Sequence, residues 1–346
     1  MSGELKSVLN DGPIEGETLV SVCVITYNHG KYIRQCLDGI LMQKVNFPYE
    51  ILIHDDASPD ETADIIREYW EKYPTVIKPI LREENQYSKG VDVSRFNFDR
   101  SCGKYIALCE GDDYWTDDGK LQLQVDFLER HEKYVECGHN VLVLTEMGFQ
   151  KNHNCANTDE RIYTQQDIIN GHSWKIATCS IVFRNVFRTL TNDKIERYYA
   201  LNTNGDFKLR LLCSEYGDCY IFREQMGVYR YITQYGSSWC AQNYGRNLAW
   251  FTYESYHCAS DFMKREYDID INLKPCLDNC LYQSILCIMQ PHIFKNSKDN
   301  IKIFIKISKE YSKMFGFVPW VYSLSINTPK IFVHNIIRRL GRSESF

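Results

Sequence analysis

Residues 20–43 read VSVCVITYNHGKYIRQCLDGILMQ, and the fold class turns on them. Val20–Thr26 is a short β-branched run, apolar on both faces, as a strand buried inside a parallel sheet requires. Tyr27-Asn28-His29-Gly30 breaks it. Tyr32, Cys36, Leu37, Ile40 and Leu41 then recur at helical spacing, which predicts a helix with one apolar face.

Two further strand-to-helix units follow. Glu50–His54 (EILIH) predicts a second strand ending in Asp55-Asp56-Ala57-Ser58. Ser58 suits an N-cap, Pro59 the first helical position and Glu61 the return arm of a capping box, with Ile65, Ile66 and Tyr69 inward. Pro74 ends that helix, and a third strand is expected at Thr75–Leu81. Tyr105–Cys109 (YIALC) predicts a fourth strand, running into Glu110-Gly111-Asp112-Asp113 and then a helix with Leu121, Val125 and Leu128 inward. Strands alternating with helices imply an α/β fold on a mostly parallel sheet. Parallel strands point one way, so Thr26-Tyr27-Asn28, Asp55-Asp56 and Glu110–Asp113 share the edge where such sheets bind ligands. No GxGxxG follows the first strand, which disfavours a dinucleotide fold. No GxxxxGK[ST] occurs, which excludes a P-loop.

The 346 residues are 44% hydrophobic and 25% charged, the make-up of one large globular domain or two ordinary ones. A net charge of −5 argues against a nucleic-acid partner. The 14% of aromatic residues suits pockets for sugars or bases. Charge is uneven: residues 291–346 hold ten Lys/Arg against three acids. Within them Lys330–Leu340 (KIFVHNIIRRL) is basic and amphipathic. It suits either a helix packed on the rest of the fold or docking on an anionic membrane face. Met1–Leu19 is polar, and nowhere do roughly 18 apolar residues run together, so neither a signal peptide nor a membrane span is expected. The 14 cysteines sit in a chain too long to need disulfide staples. Reduced thiols and a cytoplasmic location, peripheral to the inner membrane face if the tail docks, are therefore expected. Cys276, Cys280 and Cys287 share a helix face and read as core, as does His54 in its apolar strand; no CxxC or HxxxH spacing marks a metal site.

Beyond residue 130 the pattern is mixed. Ile181–Arg184 and Cys219–Phe222 predict strands, Phe207–Glu215 a helix, and residues 246–290 more helix. Ile301, Ile303, Phe304, Ile305 and Ile307, interleaved with lysines, fit either type. The expected layout is an N-terminal extension (1–19), an α/β domain (20–245, in halves 20–130 and 131–245) and a helical C-terminal region with a basic tail (246–346).

Acids clustered at a strand end suit Mg²⁺ or Mn²⁺, hard cations that often bridge one or two carboxylates to substrate phosphates. The plainer reading is a solvated acidic turn. VSVCVITYNHGKYIRQCLDGILMQ, EILIHDDASPDET (50–62) and GKYIALCEGDDYWTDDGKLQLQVDFLE (103–129) together resemble, in order and spacing, the family 2 glycosyltransferases of the GT-A fold. The resemblance covers about a third of the chain. It implies a Rossmann-like, mostly parallel nucleotide-binding sheet with a helical C-terminal extension. It further implies an inverting transferase of polysaccharide biosynthesis, taking a sugar from a nucleotide-sugar donor, UDP-linked, to a saccharide or lipid-linked acceptor, with Mn²⁺ or Mg²⁺ on the diphosphate.

By position, the resemblance makes Tyr27 flank the base, Asp56 accept the base's ring N–H, and Asp112 bind the metal as the last acid of a DxD motif, here Glu110-Gly111-Asp112. Thr26, Asn28, Asp55, Asp113 and Trp115 complete the donor side. Asp206, in Asn204–Leu209 (NGDFKL), stands where the family keeps its general base; a helix-start acid is the plainer reading. Met226–Arg230 with Gly236-Ser237-Ser238-Trp239 resembles a segment that closes over the donor. The His that many relatives carry two residues after the Arg is Ile232 here. Arg230 would contact the diphosphate or form a structural salt bridge, with Tyr229 and Trp239 toward the acceptor. Two other readings stay open. A sugar-nucleotide pyrophosphorylase would need a Gly-rich, Arg/Lys-bearing loop after the first strand, which Thr26–Gly30 is not. A non-catalytic saccharide-binding subunit would have no need of Asp206 as a base.

Overall fold

In the computed structural model, which describes residues 4–150, 159–170, 176–233, 239–290, 293–294, 297–320 and 323–325, the first strand is Val20–Thr26 (β1). It pairs in parallel with β2 (Tyr49–Asp55), and β2 pairs in parallel with β3 (Ile77–Leu81). On its other side β1 pairs in parallel with β4 (Tyr105–Leu108). Val20, Val22, Val24, Ile51, Ile53 and Ile106 are all fully buried, the covered condition that β-branched runs of a parallel sheet meet. Register sets the site: Thr26 lies beside Asp55. Backbone bonds Cys109 N to Cys23 O (3.2 Å) and Gly111 N to Ile25 O (3.0 Å) carry the β1–β4 ladder on until Gly111 faces Thr26.

The sheet continues as a mixed one. β5 is Tyr114–Trp115, β6 Tyr134–Thr145, β7 Gly148–Gln150, β8 Arg161–Tyr163, β9 Val182–Arg184 and β10 Asp218–Arg230. The order is β3-β2-β1-β4-β9-β6-β10-β5, with β7 on β6 and β8 on β10. β9 runs antiparallel to β4 and β6, β10 parallel to β6, and β5 antiparallel to β10. The last long strand exceeds the expected Cys219–Phe222. Its exposed Arg223-Glu224-Gln225 break the alternation, and the ladder slips there before resuming to Arg230.

Helix Ile33–Leu41 (α1) buries Ile33, Cys36, Leu37, Ile40 and Leu41. A Cβ on its Gly39 would lie 2.7 Å from the carbonyl oxygen of Trp115. Gly39→Ala is therefore expected to cost about 1–3 kcal/mol by overpacking against main chain. A urea unfolding midpoint unmoved by the substitution would disprove that close approach.

The next helix, Thr62–Lys72 (α2), starts later than the capping box implies, and Glu61 precedes it without a side-chain cap. Ser58 is no N-cap: its hydroxyl donates to Asp55 and accepts from the Asn28 amide. Asp60 takes the role, accepting from Thr62 N at 3.1 Å. Helix Lys120–Arg130 (α3) buries Leu121, Val125 and Leu128 as expected, and helix Gly205–Ser214 (α4) is buried from Phe207 onward.

The chain divides into two compact units, Met1–Gln165 with Trp174–Ala200 and Gly205–Gln242, and Gln166–Ser173 with Leu201–Asn204 and Asn243–Phe346. The second is built on helices Ala249–Tyr267 (α5), Lys274–Met289 (α6) and Ser297–Phe315 (α7) around Tyr253, Leu277, Cys280, Leu281, Ile307 and Tyr311. The lysine-interleaved stretch from Ile301 is thus helical. Asp278 joins two of these helices' ends, accepting from Tyr311 Oη (3.0 Å) and Ser323 Oγ (2.6 Å). Cys276, Cys280 and Cys287 are buried along α6, and no described cysteine is in a disulfide. Among the described residues no helix is long and apolar enough to cross a membrane. Lys330–Leu340 lies outside the described residues.

Candidate active site at the carboxyl edge of the sheet

The turns leaving β1 and β2 hold each other. Asn28 N donates to Ser58 Oγ (2.8 Å), His29 N to Thr62 Oγ1 (2.9 Å) and Gly30 N to Asp60 Oδ2 (2.8 Å). Asn28 has φ +59° and Ala57 φ +64°. Asn tolerates the left-handed region, whereas for Ala it costs about 1–2 kcal/mol, strain stored beside the site. Asp55, expected on the donor side, instead holds this turn: it is buried, bonded to the Ser58 hydroxyl, and burial raises its pKa.

Asp56 is buried at the same edge. Its Oδ1 accepts from Gln86 N (2.8 Å) and lies 3.2 Å from His54 Nε2; its Oδ2 accepts from Tyr87 N (2.9 Å). Oδ2 retains one further lone-pair direction. His54 is a core histidine as expected, stacked 4.7 Å from Phe96, its pKa lowered by burial. Tyr27 is half-buried and Asn28 exposed.

The segment after β4 carries the acids. Gly111 must lack a side chain: a Cβ would fall 2.5 Å from Thr26 Oγ1 and 3.0 Å from His29 Nδ1. Asp112 is partly exposed, its side chain 18% accessible and 3.8 Å from His29 Nε2. Glu110 is pushed up to about 8, first by burial and then by the charges of Asp112 and Asp206. Asp113 and Trp115 are corrections, because neither faces the edge. Asp113 accepts from Arg230 N at 2.7 Å, and burial, then the neighbouring acids, push its pKa well above the carboxylate range. Trp115 is 1% exposed, donates Nε1 to Cys179 O (2.7 Å) and carries Lys120 Nζ 3.7 Å from its ring centre. β5 pairs with β10, and that pairing turns Trp115 into the core.

Arg230 makes no ion pair among the described residues. Its guanidinium lies between Tyr32 and Tyr114, 4.6 and 4.7 Å from their ring centres, and donates to the Asp112 carbonyl and to Gln35 Oε1. It clamps the acidic segment from behind.

Asp206 opens α4. Its side chain is 41% exposed; Oδ1 accepts from Phe207 N (2.8 Å) and Oδ2 lies 3.6 Å from Arg210. Arg210 is itself fixed to Ile176 O at 2.5 Å. Lys208 is buried and paired with Asp92 at 2.5 Å, which ties α4 to the loop after β3. Tyr229 is half-buried, its hydroxyl 3.6 Å from Cys240 Sγ, and burial raises its pKa. Trp239 begins the helix Trp239–Asn243; its side chain and residues 236–238 are outside those described. The sequence pattern does not bring Asp60 or the Asp92–Lys208 pair to this edge. Nothing local marks Asp92, since its partner lies far along the chain.

Among the described residues no three His, Cys, Asp or Glu side chains converge to hold a metal unaided. A diphosphate-borne cation needs less, one or two carboxylates. Glu110 and Asp112, two residues apart after β4, are the carboxylates that such a cation would use.

The family model for glycosyl transferase family 2 matches residues 21–191. An uncharacterized protein of Mycobacterium tuberculosis is 46% identical over 131 residues, 37% of this chain and 37% of that protein. A Bacillus subtilis protein named as a teichuronic acid biosynthesis glycosyltransferase, TuaG, is 35% identical over 126 residues, 36% of this chain and 48% of its own. The chain thus matches less than half the length of these relatives. Among solved structures, Staphylococcus aureus TarS 1–349 in complex with UDP-GlcNAc aligns with a TM-score of 0.50 and 14% identity, covering 86% of this chain and 92% of that one. At that identity the likeness speaks to the GT-A-like fold alone.

Proposed function

We propose, for a chain that belongs to the family 2 glycosyltransferases through residues 21–191, that it transfers a sugar with inversion from a UDP-linked donor to a saccharide or lipid-linked acceptor. One observation carries the reading. The half-exposed Asp206, distant in sequence, stands close enough to the Glu110–Asp112 segment for its charge to raise Glu110. An inverting transfer needs those two parts together, a place for the diphosphate and a base for the acceptor.

Asp206 would take the acceptor hydroxyl's proton as that oxygen attacks the anomeric carbon and the C–O bond to the nucleoside diphosphate breaks. Its carboxylate is held by Phe207 N and faces Arg210, which keeps it aimed from the helix start. Tyr27 would flank the base and Asp56 would accept its ring N–H on a remaining lone pair. Asp112, with Glu110, would hold Mn²⁺ or Mg²⁺, which when bound neutralises charge on the leaving diphosphate. The saccharide acceptor accords with the relative named for teichuronic acid biosynthesis.

The test is UDP release from a panel of UDP-sugars with Mn²⁺, with and without saccharide acceptors. Formation of UTP and sugar 1-phosphate on adding pyrophosphate, with no UDP release, would mark a pyrophosphorylase, and tight UDP binding without any turnover a binding subunit.

Arg230 tests the clamp. Arg230→Lys keeps the charge but loses the planar fork and the stacking between Tyr32 and Tyr114. It is expected to weaken Mn²⁺-dependent donor binding about tenfold by freeing the Asp112 segment. Titration calorimetry giving wild-type affinity would show that the clamp does not set the position of Asp112.

A further inference from the structure

Helix α7 and the residues after it have no part in the proposed transfer, yet in a chain of net charge −5 residues 297–346 hold nine Lys/Arg against three acids. The helix has two apolar sides. Ile307 and Tyr311 are buried in the core of the second unit, with Ile303 and Phe304 packed against it. Ile301 and Ile305, one turn apart on another side, are each 46% exposed. Met314, and beyond the helix Phe317 and Val318 at 66% and 76%, are exposed too. Lys298, Lys302, Lys309 and Lys313 are exposed alongside them, and among the described residues Lys298, Lys309 and Lys313 make no ion pair. The two acids of the helix are engaged: Glu310 accepts from Tyr253 Oη (3.2 Å) and Asp299 lies 3.5 Å from Lys302.

We infer that the exposed Ile301–Ile305 strip with its flanking lysines docks on an anionic lipid bilayer. Apolar side chains on such a helix enter the headgroup boundary, while lysine stems lie along it and lift their ammonium groups to lipid phosphates. Charge complementarity selects this occupant. A second copy packed strip to strip would set the same lysines against one another, whereas an anionic bilayer offers apolar depth and negative charge over one surface. The inference extends the proposed function, since a lipid-linked acceptor would lie at that surface, but its readout does not depend on turnover.

The experiment uses the full chain with vesicles of phosphatidylcholine, with and without phosphatidylglycerol, in a sedimentation assay. The protein is expected to sediment with the anionic vesicles, at least about tenfold less with the neutral ones, and to be released by high salt. The double variant Ile301→Asp/Ile305→Asp is expected to lose vesicle binding while keeping its thermal midpoint and its vesicle-free UDP release. Lys302→Glu/Lys309→Glu is expected to weaken only anionic binding. The inference is overturned if the Ile variant sediments like the wild type, or if the wild type binds neither vesicle. A concentration-dependent dimer dissolved by the Ile variant would overturn it in favour of a second copy. A marked fall in that variant's midpoint without wild-type vesicle binding would show that the chain itself covers the strip. Loss of UDP release in the wild type would sink the transferase reading and leave the vesicle result standing.

Discussion

Replacing Asp206 with Asn is expected to lower sugar-transfer turnover by about 10²–10⁴-fold while UDP binding stays near wild type. The amide oxygen of Asn can still accept from Phe207 N, so the start of α4 should survive. What disappears is a basic oxygen able to take the acceptor's proton. The ion pair with Arg210 also goes, but at 3.6 Å and with Asp206 41% exposed it contributes little to stability. The decisive reading is kcat from UDP release set beside the Kd for UDP. Full turnover in the variant would leave Asp206 as a helix-start acid and move the base elsewhere. Parallel loss of turnover and UDP affinity would mean that Asp206 shapes the donor site instead.

Replacing Lys120 with Met is expected to stabilise the chain by about 2–4 kcal/mol at pH 6, and by less as pH rises toward 8.5. Lys120 is fully buried, its Nζ has no hydrogen-bond partner, and burial lowers its pKa to about 7. The sign follows from proton counting. Below pH 7 folded and unfolded chains both hold the proton, and the full cost of burying the charge is present. Above pH 7 the folded chain releases the proton while the unfolded one, with an ordinary lysine near 10.4, keeps it, so rising pH relieves the cost. The Trp115 ring 3.7 Å from the ammonium offsets part of it, which sets the expected gain below what the shift alone implies. Urea midpoints of both proteins between pH 6 and 8.5 check this. The difference between the two curves is the observable, because buried thiols nearby, whose pKa values burial raises, act in the opposite sense as pH climbs. Two parallel curves would show that Lys120 does not titrate in this range.

The two substitutions mark the reach of local reading. Asp206 was legible because an acid opening an apolar helix is a local pattern, and the family resemblance supplied a role for it. Lys120 was not, because a lysine after Asp117-Asp118-Gly119 reads as the solvated start of a helix. It is buried because α3 packs its first turn beneath Trp115. Ser58 misled for the same kind of reason: its offset to Glu61 suited a capping box, but its hydroxyl is engaged by Asp55 and by the Asn28 amide across the sheet edge.

Strand identity, strand direction and the shared edge of Thr26, Asp56 and Asp112 were contained in the order of the residues. Hydrophobic period, β-branching and strand-to-helix alternation act over a few neighbours, and parallel pairing then puts all the carboxyl ends on one side. Which acids of that edge are open was settled by contacts between distant segments. Asp112 and Asp113 are adjacent in the chain, yet one meets the open edge beside His29 and the other is turned onto Arg230 N by the pairing of β5 with β10. Arg230, read alone as a diphosphate ligand or a salt-bridge partner, is enclosed by two tyrosines and a carbonyl from other elements. Exposure and hydrogen-bond partners belong to the packed chain, and no run of neighbours encodes them.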